Sequence, residues 1–198
     1  VALTAGYGYM GDWLECQPAR YPHGLEYALK LIKENGQNPG VWVGPFMVSS
    51  HSNLYKNHPE WLLRDCNGNL LLEGEGKPFL DFYSDHEKRY FLDTSHPEAF
   101  AFLRTVFRTL RQWGAVFYKV DFMDWGFKDS TRVQRYTPGK TSMQYFQDVL
   151  RMIREEIGPE SYWIGCSTPF APMVGHVDAM RLAYDTVEQW GENSNMVN

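Results

Sequence analysis

The chain has 198 residues, of which 43% are hydrophobic, so it is long and apolar enough to bury the core of one globular domain. Its formal net charge is -5 and no block of like charges occurs, which argues against nucleic acid and anionic membrane surfaces as partners. No apolar run approaches the roughly 20 residues that a membrane-spanning helix needs.

Helix and strand patterns alternate along the chain. In chain order the predicted elements are a helix at 23–35, a strand at 39–46, a short helix at 51–64 that Pro59 interrupts, a strand at 90–94, a helix at 97–113, a strand at 115–122, a helix at 143–157, and strands at 161–167 and 177–185. Ser95 is the predicted N-cap of the third helix, with Glu98 three residues later. Gly36, Gly114 and Gly158 are predicted to end helices.

This alternation predicts an α/β fold built from βα units around a parallel sheet. The predicted strands are continuous apolar runs, which is typical of a sheet that is covered on both faces. No repeat or linker divides the chain, so we expect residues 1–198 to form a single domain.

The chain begins with Val1 and ends on the polar run ENSNMVN, so we expect it to be a piece of a longer protein. The lack of a signal peptide then carries little weight, and the cytoplasm is the default expectation for its compartment. Assembly into a homo-oligomer is left open.

Cysteine and histidine spacing argues against a metal site. The three cysteines form no Cys-x-x-Cys pair, and the six histidines form no His-x-His or His-x-x-x-His pair. No glycine-rich phosphate loop follows a predicted strand. We therefore expect neither a catalytic metal nor a cofactor.

Polar side chains occupy the carboxyl ends of several predicted strands, where the reactive groups of βα proteins gather. These strand-end residues are Asp93, Lys119, Asp121, Cys166, Arg181 and Asp185. Asp121 and Asp185 form the pair of carboxylates that glycoside hydrolysis requires. Lys119 lies two residues before Asp121, so both side chains point to the same face of a strand.

Each of these residues also has an ordinary structural interpretation. A single Asp at a strand end is commonly a helix cap or loop anchor, and Lys119 or Arg181 alone would serve in an ion pair. Cys166 alone would be a small buried apolar residue, and Asp93 before Thr-Ser-His-Pro would begin a helix. Trp42, Trp125 and Trp190 suit stacking on a sugar ring, although a tryptophan more often belongs to the core. The ordered set, more than any member, favours a catalytic site.

A resemblance to a known family runs through the chain from about Gly11 to Gly191. Its motifs, in order, are GDWLE, PGVWVGPFMVSSHSNLYKNHPEW, LDTSHPEAFAFL, FYKVDF, GCSTPF and VGHVDAMRLAYDT. The chain resembles the α-galactosidases of glycoside hydrolase family 36. The resemblance implies a (β/α)8 TIM barrel and a retaining double displacement on α-galactoside oligosaccharides, without metal or cofactor.

The resemblance also implies roles for seven residues. By position they are Asp121 as nucleophile, Asp185 as acid/base, Lys119 as a hydroxyl-binding neighbour, Arg181 as a substrate-binding arginine, Trp42 and Cys166 as lining of the sugar pocket, and Trp13 as a further substrate-binding residue. Asp124 matches nothing in the family pattern and is interpreted as a loop residue.

Two departures from the family pattern bear on activity. Family members carry two adjacent aspartates before Gly-Asp-Trp that bind galactose hydroxyls, whereas the corresponding region here, VALTAGYGYM, has no acid. A full barrel needs about 250 residues, so we expect an incomplete barrel of five to six βα units. Alternatives are therefore an inactive or sugar-binding part-barrel, an α-N-acetylgalactosaminidase, a raffinose-synthase-like transglycosylase, or a metal-dependent hydrolase on a similar barrel.

Overall fold

A computed structural model describes residues 2–4, 6–73, 87–128, 131–182 and 185. In chain order its elements are β1 (Ala2–Thr4), α1 (Gly24–Glu34), β2 (Pro39–Val43), β3 (Met47–Ser49), α2 (Asn53–Asn57), a 3-10 helix (Pro59–Trp61), β4 (Arg64–Asp65), β5 (Arg89–Phe91), α3 (Pro97–Gln112), β6 (Phe117–Val120), a 3-10 helix (Met123–Gly126), β7 (Val133–Gln134), α4 (Ser142–Ile157), β8 (Tyr162–Gly165), α5 (Phe170–Met173) and β9 (Ala179–Met180). Within these ranges no helix combines the length and apolar character needed to cross a bilayer.

The centre of the fold is a five-stranded parallel sheet with the order β1-β2-β6-β8-β9. Its strands follow one another in the sheet as they do in the chain, and a helix lies in each connection. The predicted α/β class with a parallel sheet is therefore confirmed. Parallel pairing brings the carboxyl ends of all five strands to one edge.

The strand predicted at 90–94 belongs to a different sheet. β5 pairs antiparallel with β3, with Met47 opposite Phe91 and Ser49 opposite Arg89. Hydrophobic periodicity could not distinguish this partner from a parallel one, because both kinds of strand are buried here. Asp93 consequently does not lie at the carboxyl edge of the parallel sheet.

Asp93 is instead a buried structural anchor. Its Oδ1 accepts hydrogen bonds from the backbone N–H and the hydroxyl of Ser95, and its Oδ2 accepts from the N–H of Tyr136 at 2.7 Å. Arg135 forms an ion pair with it at 3.6 Å, and both side chains are almost completely buried. Asp93 thus joins the start of α3 to the segment that precedes α4.

The predicted N-cap of the third helix was wrong by one residue. His96 caps α3, since its Nδ1 accepts from the N–H of Glu98 at 3.2 Å. The Ser95 hydroxyl donates to Asp93, so it is not used as a cap. The helices α3 and α4 end just before Gly114 and Gly158, as predicted from the sequence. These glycines have φ angles of 97° and 80°.

The two faces of the parallel sheet differ in burial. On β6, Tyr118 and Val120 are fully buried, and Tyr118 packs against Phe107 of α3. On the opposite face the register aligns Trp42, Lys119 and Ile164, all of which are half-buried. In the described residues, the face of the sheet that the helices cover is therefore fully buried, as expected. The opposite face is only partly covered.

Candidate active site

Asp121 follows the last residue of β6 and is 4% exposed. Its backbone N–H donates to the carbonyl of Val43, which continues the β2–β6 pairing and fixes its position. The indole Nε1 of Trp42 donates to Oδ2 at 3.1 Å, and Lys119 Nζ lies 3.7 Å from the same oxygen. On the other side, Arg181 Nη2 lies 3.9 Å from Oδ1. The carboxylate is thus held by two strands and faces two cations.

The residue after Asp121 adopts a left-handed conformation. Phe122 has φ 51 and ψ 40, a region that non-glycine residues seldom occupy and that is enriched at functional sites. Its backbone N–H donates to Asp121 Oδ1 at 2.8 Å. The chain then enters the 3-10 helix Met123–Gly126. Local backbone geometry therefore supplies a donor to the carboxylate in addition to the side chains.

Arg181 and Asp185 come together, although not as the sequence predicted. β9 ends at Met180, so the four-residue spacing does not lie on a regular strand. The N–H of Arg181 donates to the carbonyl of Gly165, and its Nη1 forms an ion pair with Asp185. Since Nη2 faces Asp121, one guanidinium lies between a buried carboxylate and one that is 84% exposed.

Cys166 lies directly after β8 and is fully buried. Its N–H donates to the carbonyl of Val120 at 2.9 Å, which places it beside the end of β6. Burial raises the pKa of the thiol, and the charge of Asp121 acts in the same direction. The thiol is therefore uncharged at neutral pH and unsuited to nucleophilic attack, and its predicted place in the lining of the sugar pocket stays a prediction.

The tryptophans of the predicted site occupy different depths. Trp42 is half-buried and directly contacts Asp121. Trp13 is fully buried and lies behind it, with ring centroids 6.0 Å apart, while Tyr7 packs edge-on against Trp13 at 4.9 Å. Trp125 packs against Phe91, and Trp190 lies outside the described residues. Trp13 thus supports Trp42, and its predicted contact with substrate stays a prediction.

The described residues contain no group of three or more His, Cys, Asp and Glu side chains that could hold a metal ion. The chemistry available at this edge of the sheet is that of two carboxylates, one guanidinium, one ammonium and an indole N–H.

Comparison with known proteins identifies the family. The family model described as Melibiase matches residues 7–126. The chain belongs to the Melibiase family. The α-galactosidase AgaA of Geobacillus stearothermophilus is 35% identical over 85 residues, which cover 43% of this chain and 11% of that protein. An α-galactosidase of Escherichia coli is 28% identical over 116 residues, covering 59% of this chain and 14% of that protein.

Solved structures share the fold of this Melibiase chain. TtGalA, an α-galactosidase from Thermus thermophilus in complex with stachyose, superposes with a TM-score of 0.72 at 24% identity and covers 93% of this chain and 37% of that chain. The glycoside hydrolase family 36 α-galactosidase AgaA superposes with a TM-score of 0.64 at 20% identity, covering 90% of this chain and 25% of that one. The chain therefore spans only a minor part of the length of these relatives.

Two features of the Melibiase chain were not recognised from its sequence as parts of the site's framework. Asp12 of the Gly-Asp-Trp motif is buried and accepts from the N–H groups of Asn53 and Leu54, so it anchors the start of α2. Ser167, directly after Cys166, has a left-handed backbone and contacts Arg181. The motif GDW pointed to the first of these, whereas no sequence signal points to the conformation of Ser167.

The first strand lies in the region where family members carry two adjacent aspartates. β1 pairs in parallel with β2, so the N-terminal region is an integral strand of the sheet. No acidic residue precedes Asp12 in the sequence. Among the described residues, Arg181 forms ion pairs with Asp121 and Asp185.

Proposed function

We propose that this chain is the catalytic part of a retaining α-galactosidase that removes terminal α-galactosyl residues from oligosaccharides. The observation that carries the proposal is the placement of Asp121 and Asp185 on either side of the Arg181 guanidinium, one buried and one exposed. The relatives supply the substrate class, since TtGalA binds stachyose and p-nitrophenyl α-galactopyranoside.

In the first proposed step, a carboxylate oxygen of Asp121 attacks the anomeric carbon while the glycosidic C–O bond breaks. Asp185 transfers its proton to the departing oxygen, which leaves as an alcohol. In the second step Asp185 takes a proton from water, whose oxygen displaces Asp121 from the anomeric carbon. The configuration at the anomeric carbon is inverted in each step and is therefore retained overall. Neither step as proposed uses a redox partner or a metal.

The burial of the two carboxylates fits these roles. Asp121 is almost fully enclosed and held by donors on both oxygens, as a nucleophile that must attack in one geometry requires. Asp185 is exposed, so it can meet both a leaving group and incoming water. Lys119, Arg181 and Trp42 surround the attacking carboxylate and would bind sugar hydroxyls and the ring face.

The five parallel strands would form one side of an incomplete (β/α)8 barrel, with residues 1–198 as a single domain. The sequential strand order and the superposition on TtGalA support this arrangement. Barrel closure would then need further βα units between the β9 and β1 edges.

The test is hydrolysis of p-nitrophenyl α-galactopyranoside by the full protein and by Asp121→Gly, with Asp124→Asn as the matched control. We expect Asp121→Gly to lose turnover by about a thousand-fold or more, and azide to restore it by filling the vacated position and forming β-galactosyl azide. For Asp185→Gly we expect azide to give α-galactosyl azide, because it then attacks the Asp121-bound sugar.

Full turnover in Asp121→Gly would overturn the nucleophile assignment. Galactoside binding by the intact protein without hydrolysis would instead support a sugar-binding role and remove the enzymatic one.

A further inference from the structure

Ser167 has a backbone conformation that a serine seldom adopts. Its φ is 48, and in the described part of the chain only Phe122 among non-glycine residues also has a positive φ. A side chain with a Cβ is disfavoured there, whereas glycine enters the region freely. A serine at this position therefore calls for an explanation other than backbone preference.

The backbone on either side of Ser167 is joined to the turn that follows Asp121. The N–H of Asp124 donates to the carbonyl of Ser167 at 2.7 Å, and the N–H of Met123 donates to that of Cys166 at 3.4 Å. The left-handed turn thus connects the ends of β6 and β8. These bonds use backbone atoms alone, so they would be equally available to a glycine.

The hydroxyl makes the contact that glycine could not make. Arg181 Nη2 donates to Ser167 Oγ at 3.4 Å, and the same nitrogen lies 3.9 Å from Asp121 Oδ1. The Nη1 of the same guanidinium forms an ion pair with Asp185, which is 84% exposed. Arg181 Nε is buried and has no hydrogen-bond partner in the described residues. Ser167 is therefore the neutral acceptor beside the point where Arg181 faces Asp121.

We propose that Ser167 is a positioning residue for Arg181, whose hydroxyl holds the guanidinium against Asp121 in the orientation that binds substrate. The left-handed backbone aims the hydroxyl at Nη2, and this contact accounts for a serine where glycine would be less strained. The inference rests on the proposed function, because it assigns Arg181 to sugar binding, and it adds a residue that makes no assumed contact with the sugar.

Three substitutions of Ser167 distinguish the effect of its backbone strain from the effect of its hydroxyl. Ser167→Gly relaxes the backbone and removes the hydroxyl, so we expect a higher midpoint of thermal unfolding together with a KM for p-nitrophenyl α-galactopyranoside raised about five-fold at nearly unchanged kcat. Ser167→Ala keeps the strain and should raise KM to the same degree without stabilising the fold. Ser167→Asn tolerates the left-handed region and offers a side-chain oxygen, so it should restore KM toward the wild-type value.

The matched control is Ser161→Ala, which removes a buried hydroxyl that donates to the carbonyl of Ile157, at the opposite end of β8. This variant should lower stability and leave KM unchanged. An unchanged KM in both Ser167→Gly and Ser167→Ala would overturn the positioning role.

A structural readout keeps this inference separate from the proposed function. If the wild-type protein neither binds nor hydrolyses the galactoside, the proposed function fails, and crystal structures of the wild type and Ser167→Gly then decide the positioning role. Displacement of the Arg181 guanidinium from Asp121 in the variant supports it. Retention of the Arg181–Asp121 ion pair in the variant contradicts it.

Discussion

The indole N–H of Trp42 donates to Asp121 Oδ2 across two neighbouring strands, at a distance of 3.1 Å. The register of β2 and β6 explains the contact, because Trp42 lies opposite Lys119 and the Asp121 side chain points to the same face two residues later. The tryptophan that the sequence suggested as a sugar platform therefore also orients the proposed nucleophile.

Replacing Trp42 with phenylalanine should remove this hydrogen bond while keeping an aromatic ring in place. We expect kcat/KM for an aryl α-galactoside to fall by about ten-fold, as for loss of one hydrogen bond to a charged group. Trp163→Phe is the control, since Trp163 is fully buried on the helix-covered side near Arg154 and should affect stability alone. Equal kcat/KM in Trp42→Phe and the wild type would show that the bond does not contribute.

The sequence predicted those parts of the site that depend on strand geometry. Lys119 and Asp121 share a face because residues two apart on a strand always do, and their charged groups indeed lie 3.7 Å apart. The alternation of helices and apolar runs likewise predicted the parallel sheet whose edge gathers Asp121, Cys166 and Arg181.

Other parts depend on tertiary partners that a single sequence does not reveal. The strand at Arg89–Phe91 pairs antiparallel with β3, and hydrophobic periodicity alone does not reveal which strand is its partner. His96 displaces Ser95 as the cap because Asp93 already accepts from the Ser95 hydroxyl. The left-handed conformations of Phe122 and Ser167 occur at residues whose types would favour extended or helical backbone.

Arg181→Lys should disable the site although the charge is kept. The guanidinium reaches Asp121 and Asp185 with different nitrogens, whereas one ammonium cannot hold both in the same geometry. We expect kcat/KM to drop by about a hundred-fold, with a folded protein by circular dichroism. Arg151→Lys, at an exposed ion pair with Asp148, should leave activity unchanged, and a comparable loss there would mean that the effect is not local.

Gly126 ends the 3-10 helix behind Asp121 and admits no side chain. A Cβ at this position would lie 2.2 Å from Cζ of Phe46, whose ring is buried and stacks on Phe146. We expect Gly126→Ala to lower the free energy of unfolding by ~3 kcal/mol, measured by urea denaturation. Gly8→Ala, which meets no atom within 4 Å, should be neutral.

A second substitution at Phe46 tests the cause of that loss. Phe46→Leu in the Gly126→Ala background should recover part of the stability, because the smaller side chain makes room for the added methyl group. Additive losses in the double variant would mean that the contact with Phe46 is not responsible.

His96 should stabilise α3 through its ring nitrogen. Its Nδ1 caps the helix, and the ring also packs on Tyr136 with centroids 4.0 Å apart. His96→Ala removes both contacts, so we expect a loss of about 2 kcal/mol in urea denaturation, whereas His96→Asn keeps a capping acceptor and should lose less. Equal losses in the two variants would show that capping does not contribute.

Glu156 should make stability depend on pH in the acidic range. Hydrogen bonds from Arg108, and then Arg104, lower the pKa of Glu156 below its ordinary value of 4.5. Since the folded pKa is below the unfolded one, its contribution is complete above about pH 4.5 and is lost as the pH falls through the folded pKa. Glu156→Gln should therefore be less stable than the wild type by about 1 kcal/mol at pH 7, and the difference should shrink as the pH falls below about 4.5.

The control for this comparison is Glu155→Gln. Glu155 forms an ion pair with Arg104 at 3.2 Å and is 61% exposed, so its removal should change stability little at any pH, because exposed pairs are screened by solvent. Thermal unfolding of the three proteins between pH 3 and pH 7 measures both effects. A difference between Glu156→Gln and the wild type that stays constant over this range would show that the ionised carboxylate is not what Arg104 and Arg108 stabilise.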